Sequence, residues 1–337
     1  MSTPPLLQVK DLVVATRDEK HGLVRLVDGV SFSVQEGEVL CLVGESGSGK
    51  SITMSAVLGL LPAGVEVLSG SIEYRGRDLL ALSNRELRAL RGDELAMVFQ
   101  DPMTALNPVK RVGHQLARAV QLRGKRRSAD EIDHRVQELL HSVGVTDSAE
   151  RGKSYPHQWS GGMRQRAVIA MAIAHNPRLL VADEPTTALD VTIQSQIMAL
   201  LTEARAKSGA AMVLITHDLG LVAQTADQIC IMYSGRIVEQ GTVWDIFDQP
   251  KHPYTAGLLA SLLTADRSSG RAYAIPGSPP MPARRGSGCA FAARCELPAK
   301  SLECASAVPT LRDVGTDHFA ACHHAEAMSA FETVVNS

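Results

Sequence analysis

The sequence predicts an α/β fold with a mostly parallel sheet. Apolar runs typical of buried strands, at residues 39–43, 96–99, 178–182 and 211–216, alternate with segments of helical periodicity. The run at 39–43 leads into a glycine-rich loop, and a helix-like segment at 52–61 follows that loop. Ligands of open α/β sheets bind at the carboxyl ends of the strands, so we expect the chemistry of this chain there.

The remaining elements are predicted around this framework. Further strands are expected at residues 8–14, 30–34 and 71–78, and a short helix at residues 86–90. Between residues 112 and 143, apolar residues recur at helical spacing on both sides of a polar turn at residues 123–129. We interpret this stretch as a helical insertion.

The chain is long enough for one large domain and a smaller unit, since single cores tend to split beyond roughly 250 to 300 residues. Pro250 and Pro253 mark a boundary, and beyond Leu263 the composition shifts to Ser, Gly, Pro, Arg and Cys with little periodicity. We therefore predict a main domain at residues 1–262 and an extension at residues 263–337.

Charge and hydropathy argue against several classes of protein. With 34 Lys and Arg against 36 Asp and Glu, the formal net charge is -2, so no basic field favours nucleic acid as a partner. The apolar stretch at residues 167–174 is far shorter than the ~20 residues that cross a bilayer. Residues 1–10 lack the pattern of a secretory signal, so we expect a cytoplasmic location, where disulfides are rare.

Residues 44–51 read Gly-Glu-Ser-Gly-Ser-Gly-Lys-Ser and match the phosphate-loop pattern G-x-x-x-x-G-K-[ST]. Glycines let backbone N–H groups turn toward an anion, Lys50 can neutralise the β- and γ-phosphates, and the Ser51 hydroxyl can ligate Mg²⁺. A nucleoside triphosphate is the expected ligand, with a plain Gly/Ser-rich turn as the alternative. The predicted binding residues are Gly44, Glu45, Ser46, Gly47, Ser48, Gly49, Lys50 and Ser51.

Two further motifs fit the same chemistry. The apolar run at 179–182 ends in Asp183, suited to Mg²⁺, and Glu184, which can polarise a water for attack on the γ-phosphate. Ser160, Gly161 and Gly162 precede an apolar helix, where Ser160 can cap the helix and the glycines can expose backbone N–H groups to an anion.

Together these motifs resemble the nucleotide-binding subunits of ABC transporters. Gln100 looks like that family's Q-loop, residues 188–190, which include Asp190, like its D-loop, and His217 like its switch histidine. The resemblance implies a P-loop NTPase fold with an ABC-type nucleotide-binding domain, an antiparallel β subdomain and a helical subdomain at about residues 102–160.

The resemblance also implies roles for these residues. Lys50 and Ser51 would hold the phosphates of ATP and Mg²⁺, with Asp183 and Gln100 as further contacts of the metal. Glu184 would be the catalytic base, and His217 would contact the γ-phosphate. Ser160, Gly161 and Gly162 would bind the ATP of an opposite subunit in a head-to-tail pair.

The chain departs from the family pattern in two places. Trp159 stands where Leu is usual before Ser-Gly-Gly, and we expect it to repack the turn without removing phosphate contacts. The aromatic residue that commonly stacks on adenine is absent, because Val24, Leu26 and Val27 occupy the corresponding region. Adenine contact is therefore expected to be aliphatic.

Residues 99–108, 155–158 and 252–255 are similar to the dipeptide/oligopeptide permease ATPases. This similarity implies an importer of dipeptides or oligopeptides, with a second, non-identical ATPase, two transmembrane permease subunits and an external solute-binding protein. The ATPase would lie peripherally on the cytoplasmic face of the inner membrane. A transporter of nickel or another solute, and a non-transport ABC ATPase, remain alternatives.

The extension holds four of the six cysteines, Cys289, Cys295, Cys304 and Cys322, without a C-x₂-C pair. The spacing resembles the tail of peptide-importer ATPases in which four cysteines hold a 4Fe-4S cluster. The resemblance therefore predicts an iron-sulfur cluster, with zinc and reduced free thiols as alternatives. Cys41 and Cys230 lie in apolar runs and are expected to be ordinary buried thiols.

Overall fold

The computed structural model describes residues 4–121, 128–187, 189–265 and 273–329. The chain divides into two compact units, which we describe separately. The first is formed from the segments Met1–Ala81 and Ile215–Ser337, and the second from Leu82–Leu214. The chain passes back from the second unit to the first within one buried strand, Ala211–Thr216.

The first unit begins with an antiparallel sheet in the order β2-β1-β4-β5. Its strands are β1 (Leu7–Asp18), β2 (Gly22–Val34), β4 (Val65–Tyr74) and β5 (Arg77–Asp78). Strands β1 and β2 form a long hairpin in which Leu7 pairs with Val34 and Asp18 with Gly22. Alternate residues of β1 and β2 are buried, which is the pattern of strands with one face on a core.

A second set of strands in this unit runs in the order β11-β12-β10-β9-β3. Its members are β3 (Val39–Val43), β9 (Gln228–Tyr233), β10 (Arg236–Thr242), β11 (Arg312–Gly315) and β12 (His318–Ala320). Strand β3 is fully buried and pairs in parallel with β9, with Leu40 opposite Gln228. The remaining pairs are antiparallel, and β12 attaches the C-terminal segment to β10.

The helices of the first unit lie between and after these strands. They are α1 (Lys50–Val57), α9 (Leu219–Thr225), α10 (Val243–Asp248), α11 (Pro253–Ala265) and α12 (Glu303–Ser306). The segment after α11 also contains single 3₁₀ turns at Pro282–Arg284 and Ala325–Ala327.

The second unit combines strands β6 (Leu95–Val98), β7 (Leu179–Asp183) and β8 (Ala211–Thr216) with a group of helices. Strands β6 and β7 pair in parallel, and β8 is the next neighbour of β7. The helices are α2 (Asn84–Leu90), α3 (Pro102–Ala105), α4 (Val112–Gln121), α5 (Ala129–Ser142), α6 (Ser148–Arg151), α7 (Gly161–Ala172) and α8 (Val191–Ser208). A 3₁₀ turn at Pro156–Gln158 precedes α7.

The predicted α/β class is confirmed, and most predicted elements are present. Strands β3 and β8 match the predicted runs residue for residue, and α4 and α5 confirm the helical stretch at 112–143. Residues 123–127 of the predicted turn lie outside the described residues. The single strand predicted at 71–78 is wrong, because Arg75 and Gly76 adopt left-handed conformations and turn the chain between β4 and β5.

The helix predicted to reach residue 61 ends earlier. Helix α1 stops at Val57, and Gly59, which has a φ of 61°, carries the chain out of the helix. Within the described part of the chain, no helix is both long and apolar enough to span a bilayer. The boundary at residue 262 and the subdomain limits at about 102–160 stay predictions.

Candidate functional site

The phosphate loop connects the buried strand β3 to helix α1, as the sequence predicts. Gly44 has a φ of 155°, and a Cβ atom there would lie 2.2 Å from the carbonyl oxygen of Met232. Only glycine fits this close approach of two backbones. The N–H of Gly235 donates to the carbonyl of Ser48 at 2.8 Å, so the β9–β10 turn holds the loop from its other side.

Lys50 is the first residue of α1 and is only 5% exposed. Its ammonium donates to the carbonyl oxygens of Gly44 at 2.7 Å and Glu45 at 3.0 Å, and to Oγ of Ser48 at 3.2 Å. The loop thus wraps around a buried cation at the start of a helix. Both features attract an anion, and the geometry fits a phosphate group.

Strand β2 passes beside this loop. The carbonyl oxygen of Leu26 lies 3.1 Å from the position that a Cβ atom of Gly49 would take. Val24 and Val27, on either side of Leu26, are buried. The region predicted to contact the base is therefore aliphatic and next to the loop, and its contact with adenine stays a prediction.

In the second unit, β7 ends in the two predicted carboxylates. Asp183 is the last residue of the strand and is 6% exposed. Glu184 has a left-handed φ of 43°, a conformation that costs a non-glycine residue about 1–3 kcal/mol. Oε2 of Glu184 accepts a hydrogen bond from Nε2 of Gln100 at 2.9 Å and another from Oγ1 of Thr187 at 2.8 Å.

Two of the predicted residues, Gln100 and Glu184, therefore meet although 84 positions separate them in sequence. Sequence reasoning missed Thr187 as a partner of Glu184. The available signal was its position three residues after a carboxylate in a turn, where a hydroxyl can reach back.

The Ser-Gly-Gly segment starts helix α7. Oγ of Ser160 accepts a hydrogen bond from the N–H of Met163 at 3.3 Å, which confirms the predicted helix cap. Gly161 is exposed, whereas Gly162 is buried against α8, where an added Cβ atom would lie 2.8 Å from Cγ2 of Ile193. Gly162 is thus needed for the close packing of two helices, a role that the motif did not indicate.

Asp190 caps helix α8. Its Oδ1 accepts a hydrogen bond from the N–H of Ile193 at 2.9 Å, so Ile193 contacts both Asp190 of the predicted D-loop and the helix position of Gly162. Ala188, which also belongs to the predicted D-loop, lies outside the described residues. His217 is exposed in the first unit, directly after β8 and before the Asp218 cap of α9. The functional roles of these residues stay predictions.

The prediction of a 4Fe-4S cluster on Cys289, Cys295, Cys304 and Cys322 is wrong. Across residues 4–121, 128–187, 189–265 and 273–329, no group of three or more His, Cys, Asp or Glu side chains is arranged to hold a metal ion. The zinc alternative fails on the same ground. None of these four cysteines forms a disulfide in the structure.

Burial disfavours the charged form of three of these four side chains. It raises the pKa of the Cys289 and Cys295 thiols above the usual value and that of Cys322 to about 12. Cys41 is buried in β3, which raises its pKa to about 12, and Cys230 is buried in β9, which also raises its pKa. Both confirm the expectation of ordinary buried thiols.

Comparison with protein families gives two matches. Residues 27–187 match the family described as ABC transporter. Residues 238–304 match the family described as oligopeptide/dipeptide transporter, C-terminal region. The two matches cover the phosphate loop, both carboxylates and a large part of the C-terminal segment.

Curated relatives carry related descriptions. The chain is 51% identical over 275 residues to the dipeptide transport ATP-binding protein DppD of Bacillus subtilis, covering 81% of this chain and 82% of that protein. It is 46% identical over 321 residues to the probable peptide ABC transporter ATP-binding protein y4tR of Sinorhizobium fredii, covering 94% of each. It is 47% identical to the oligopeptide transport ATP-binding protein OppD of Mycobacterium tuberculosis, covering 96% of this chain but only 52% of that protein.

The chain therefore spans about half the length of the mycobacterial relatives that it matches. Among solved structures, it resembles the post-hydrolysis dimer of the ATP-binding cassette MJ0796 bound to ADP and Pi. The TM-score is 0.64 at 25% identity, and the match covers 70% of this chain and 98% of the cassette.

Proposed function

Because this chain belongs to the ABC transporter family, in the branch of oligopeptide and dipeptide ATP-binding proteins, we propose that it hydrolyses ATP to drive peptide uptake across the cytoplasmic membrane. Its relatives are described as serving dipeptide, oligopeptide or peptide transport. The cargo of this chain is accordingly a dipeptide or a short peptide.

One observation carries the proposal: the buried ammonium of Lys50 lies inside a loop whose backbone admits no side chain at Gly44. A glycine-rich loop around a buried ammonium at the start of a helix attracts a compact polyanion. Lys50 and the backbone N–H groups of the loop hold the β- and γ-phosphates of ATP. Ser51, Asp183 and Gln100 are the residues that would hold Mg²⁺, and the ion would neutralise charge on the phosphate oxygens.

Glu184 is the proposed catalytic base. The hydrogen bonds from Gln100 and Thr187 fix the orientation of its carboxylate. A carboxylate held in this way can orient a water molecule and accept its proton during attack on the γ-phosphate. His217 is proposed to contact that phosphate.

The proposed working unit is a pair of ATPase subunits. Ser160, Gly161 and Gly162 of one subunit, together with its Asp190, act on the ATP held by the other, and the second subunit is a non-identical ATPase. The pair lies on the cytoplasmic face of the inner membrane against two permease subunits, which receive peptide from an external binding protein. The dimeric state of the similar cassette supports pairing.

Peptide uptake by cells tests the proposal. In a strain that depends on this chain, Lys50→Ala is expected to abolish uptake of a labelled dipeptide, because the loop loses its cation. Lys207→Ala is the matched control, since Lys207 is an exposed lysine paired with Glu203 on α8. Undiminished dipeptide uptake in the Lys50→Ala strain would contradict the proposal. The proposal would also be contradicted if that strain lost uptake of nickel but kept uptake of the dipeptide.

A further inference from the structure

The C-terminal extension reaches the phosphate loop through a buried arginine. We propose that Arg294 is a positioning residue for the nucleotide, which acts by neutralising and orienting the carboxylate of Glu45. Glu45 is the second residue of the phosphate loop, and Arg294 follows it by 249 positions in the chain. The inference rests on the proposed function, since it assigns part of the ATP site to the extension.

Arg294 donates hydrogen bonds to three other residues. Its Nη1 donates to both carboxylate oxygens of Glu45, at 3.0 and 3.1 Å, and to the hydroxyl of Tyr233 at 3.3 Å. Its Nε donates to the carbonyl oxygen of Pro276 at 2.7 Å. The Arg294 side chain is 7% exposed and that of Glu45 27%, so water screens this ion pair weakly.

Glu45 is also fixed through its backbone. Its N–H donates to the hydroxyl of Tyr254 at 2.9 Å, and its carbonyl oxygen accepts hydrogen bonds from Lys50 at 3.0 Å and from the N–H of Ser48 at 3.2 Å. Arg294 therefore holds the side chain of the same residue whose carbonyl contacts the phosphate-binding lysine. A shift of the Glu45 side chain would also displace the Glu45 carbonyl oxygen, and with it the Lys50 ammonium that donates to this oxygen.

An aromatic cluster keeps the guanidinium in place. The rings of Tyr233 and Tyr254 lie 4.6 Å apart between centroids, and Phe291 meets Tyr233 edge-on at 5.3 Å. The guanidinium carbon of Arg294 lies 5.8 Å from the Tyr233 centroid and 5.9 Å from that of Phe291. These cation–π contacts compensate part of the desolvation of a buried charge.

The charges of Glu45 and Arg294 determine how this arrangement affects the binding of ATP. ATP brings several negative charges to a loop that already carries the Glu45 carboxylate, and like charges in a partly buried site repel. The positive charge of Arg294 cancels that carboxylate. If Arg294 acts in this way, its removal weakens nucleotide binding, and removal of the Glu45 charge restores binding.

Steady-state ATP hydrolysis by the intact transporter complex tests the inference. Arg294→Met is expected to raise KM for ATP about tenfold while kcat stays within about twofold. Arg294→Lys is expected to raise KM less, since it keeps the charge and loses part of the hydrogen bonding. Glu45→Gln combined with Arg294→Met is expected to return KM to within about twofold of the starting protein.

Arg312→Met is the matched control, because Arg312 pairs with Glu326 inside the extension, at 2.6 Å and in a more exposed position. It is expected to leave KM unchanged. If Arg294→Met leaves KM unchanged, or if the double variant binds ATP as poorly as Arg294→Met, the inference is overturned, since a merely structural role would not be reversed at Glu45. Should Arg294→Met fail to fold, Arg294→Lys with and without Glu45→Gln gives the same comparison.

Lys50→Ala separates the two hypotheses. If Lys50→Ala loses ATP binding and Arg294→Met does not, the inference fails and the proposed function stands. If Lys50→Ala binds and hydrolyses ATP normally, the proposed function itself fails.

Discussion

At the scale of single residues, the ammonium of Lys50 and the carboxylate of Glu184 are held by hydrogen bonds within their own units. Lys50 and Glu184 were predictable from the sequence because each belongs to a short motif with a fixed spacing. Thr187 and Arg294 were not, because no local pattern reports which side chain will reach a given carboxylate. For Arg294 the contact closes a loop of more than two hundred residues, which only the fold can define.

Glu184→Gln is expected to lower ATP hydrolysis at least about 100-fold, because the amide cannot accept the proton of the attacking water. Nucleotide binding is expected to persist, since Lys50 and the phosphate loop are unchanged. The measurement is phosphate release by the transporter complex together with equilibrium binding of ATP. Glu203→Gln serves as the control, because Glu203 is exposed on α8. Hydrolysis at the normal rate in Glu184→Gln would remove Glu184 from the role of base.

At the scale of elements, contacts between helices and turns explain where the sequence predictions succeeded and failed. Strands β3 and β8 were predictable because continuous apolar runs mark central strands. The hairpin between β4 and β5 was missed because it depends on left-handed conformations at Arg75 and Gly76, which apolar periodicity does not encode. The contact of Gly162 with Ile193 could likewise not be predicted from the sequence, because it depends on how helices α7 and α8 pack.

Gly162→Ala is expected to destabilise the fold by about 1–3 kcal/mol, because the new methyl group overpacks the contact between α7 and α8. Gly161→Ala is the matched control, since a Cβ atom there lies 3.6 Å from Leu189, an ordinary contact. Urea unfolding of the three proteins measures the difference. Combining Gly162→Ala with Ile193→Ala is expected to recover part of the loss. Equal stability of the two glycine variants would refute the packing role of Gly162.

His252, the residue before α11, makes the stability of the folded protein depend on pH. His252 is 1% exposed, its Nδ1 accepts a hydrogen bond from the N–H of Tyr254 at 3.0 Å, and burial lowers its pKa from 6.5 to about 3. The folded protein therefore keeps His252 neutral, while the unfolded chain takes up a proton below pH 6.5. Stability is lost as the pH falls through that value.

Protonation of His252 in the unfolded chain lowers the free energy of unfolding by about 2 kcal/mol between pH 7 and pH 5. His252→Asn keeps an acceptor for the N–H of Tyr254 and is expected to remove that part of the pH dependence in urea unfolding. His134→Gln, at an exposed histidine of α5, should leave the dependence unchanged. The same pH slope in His252→Asn and the starting protein would contradict the burial argument.

At the scale of the whole molecule, sequence predicted the family correctly because its motifs occur in a fixed order over most of the chain. It failed at the C-terminal cysteines, where the number and spacing of thiols suggested a cluster, but the described residues hold no metal-binding group. Burial raises the pKa of the Cys289, Cys295 and Cys322 thiols, and the extension contributes strand β12 and the side chain of Arg294. What the extension does thus depends on its packing rather than on its cysteine count.

ATP held by the Lys50 loop is proposed to join this chain to a second ATPase subunit. The most direct measurement is the sedimentation of Glu184→Gln, mixed with the ATPase subunit that co-purifies from membranes, with and without ATP. A stable pair is expected with ATP and separate subunits without it, and no pair is expected when Lys50→Ala is added. Subunits that stay separate at saturating ATP, or that pair equally well with Lys50→Ala, would contradict this proposal.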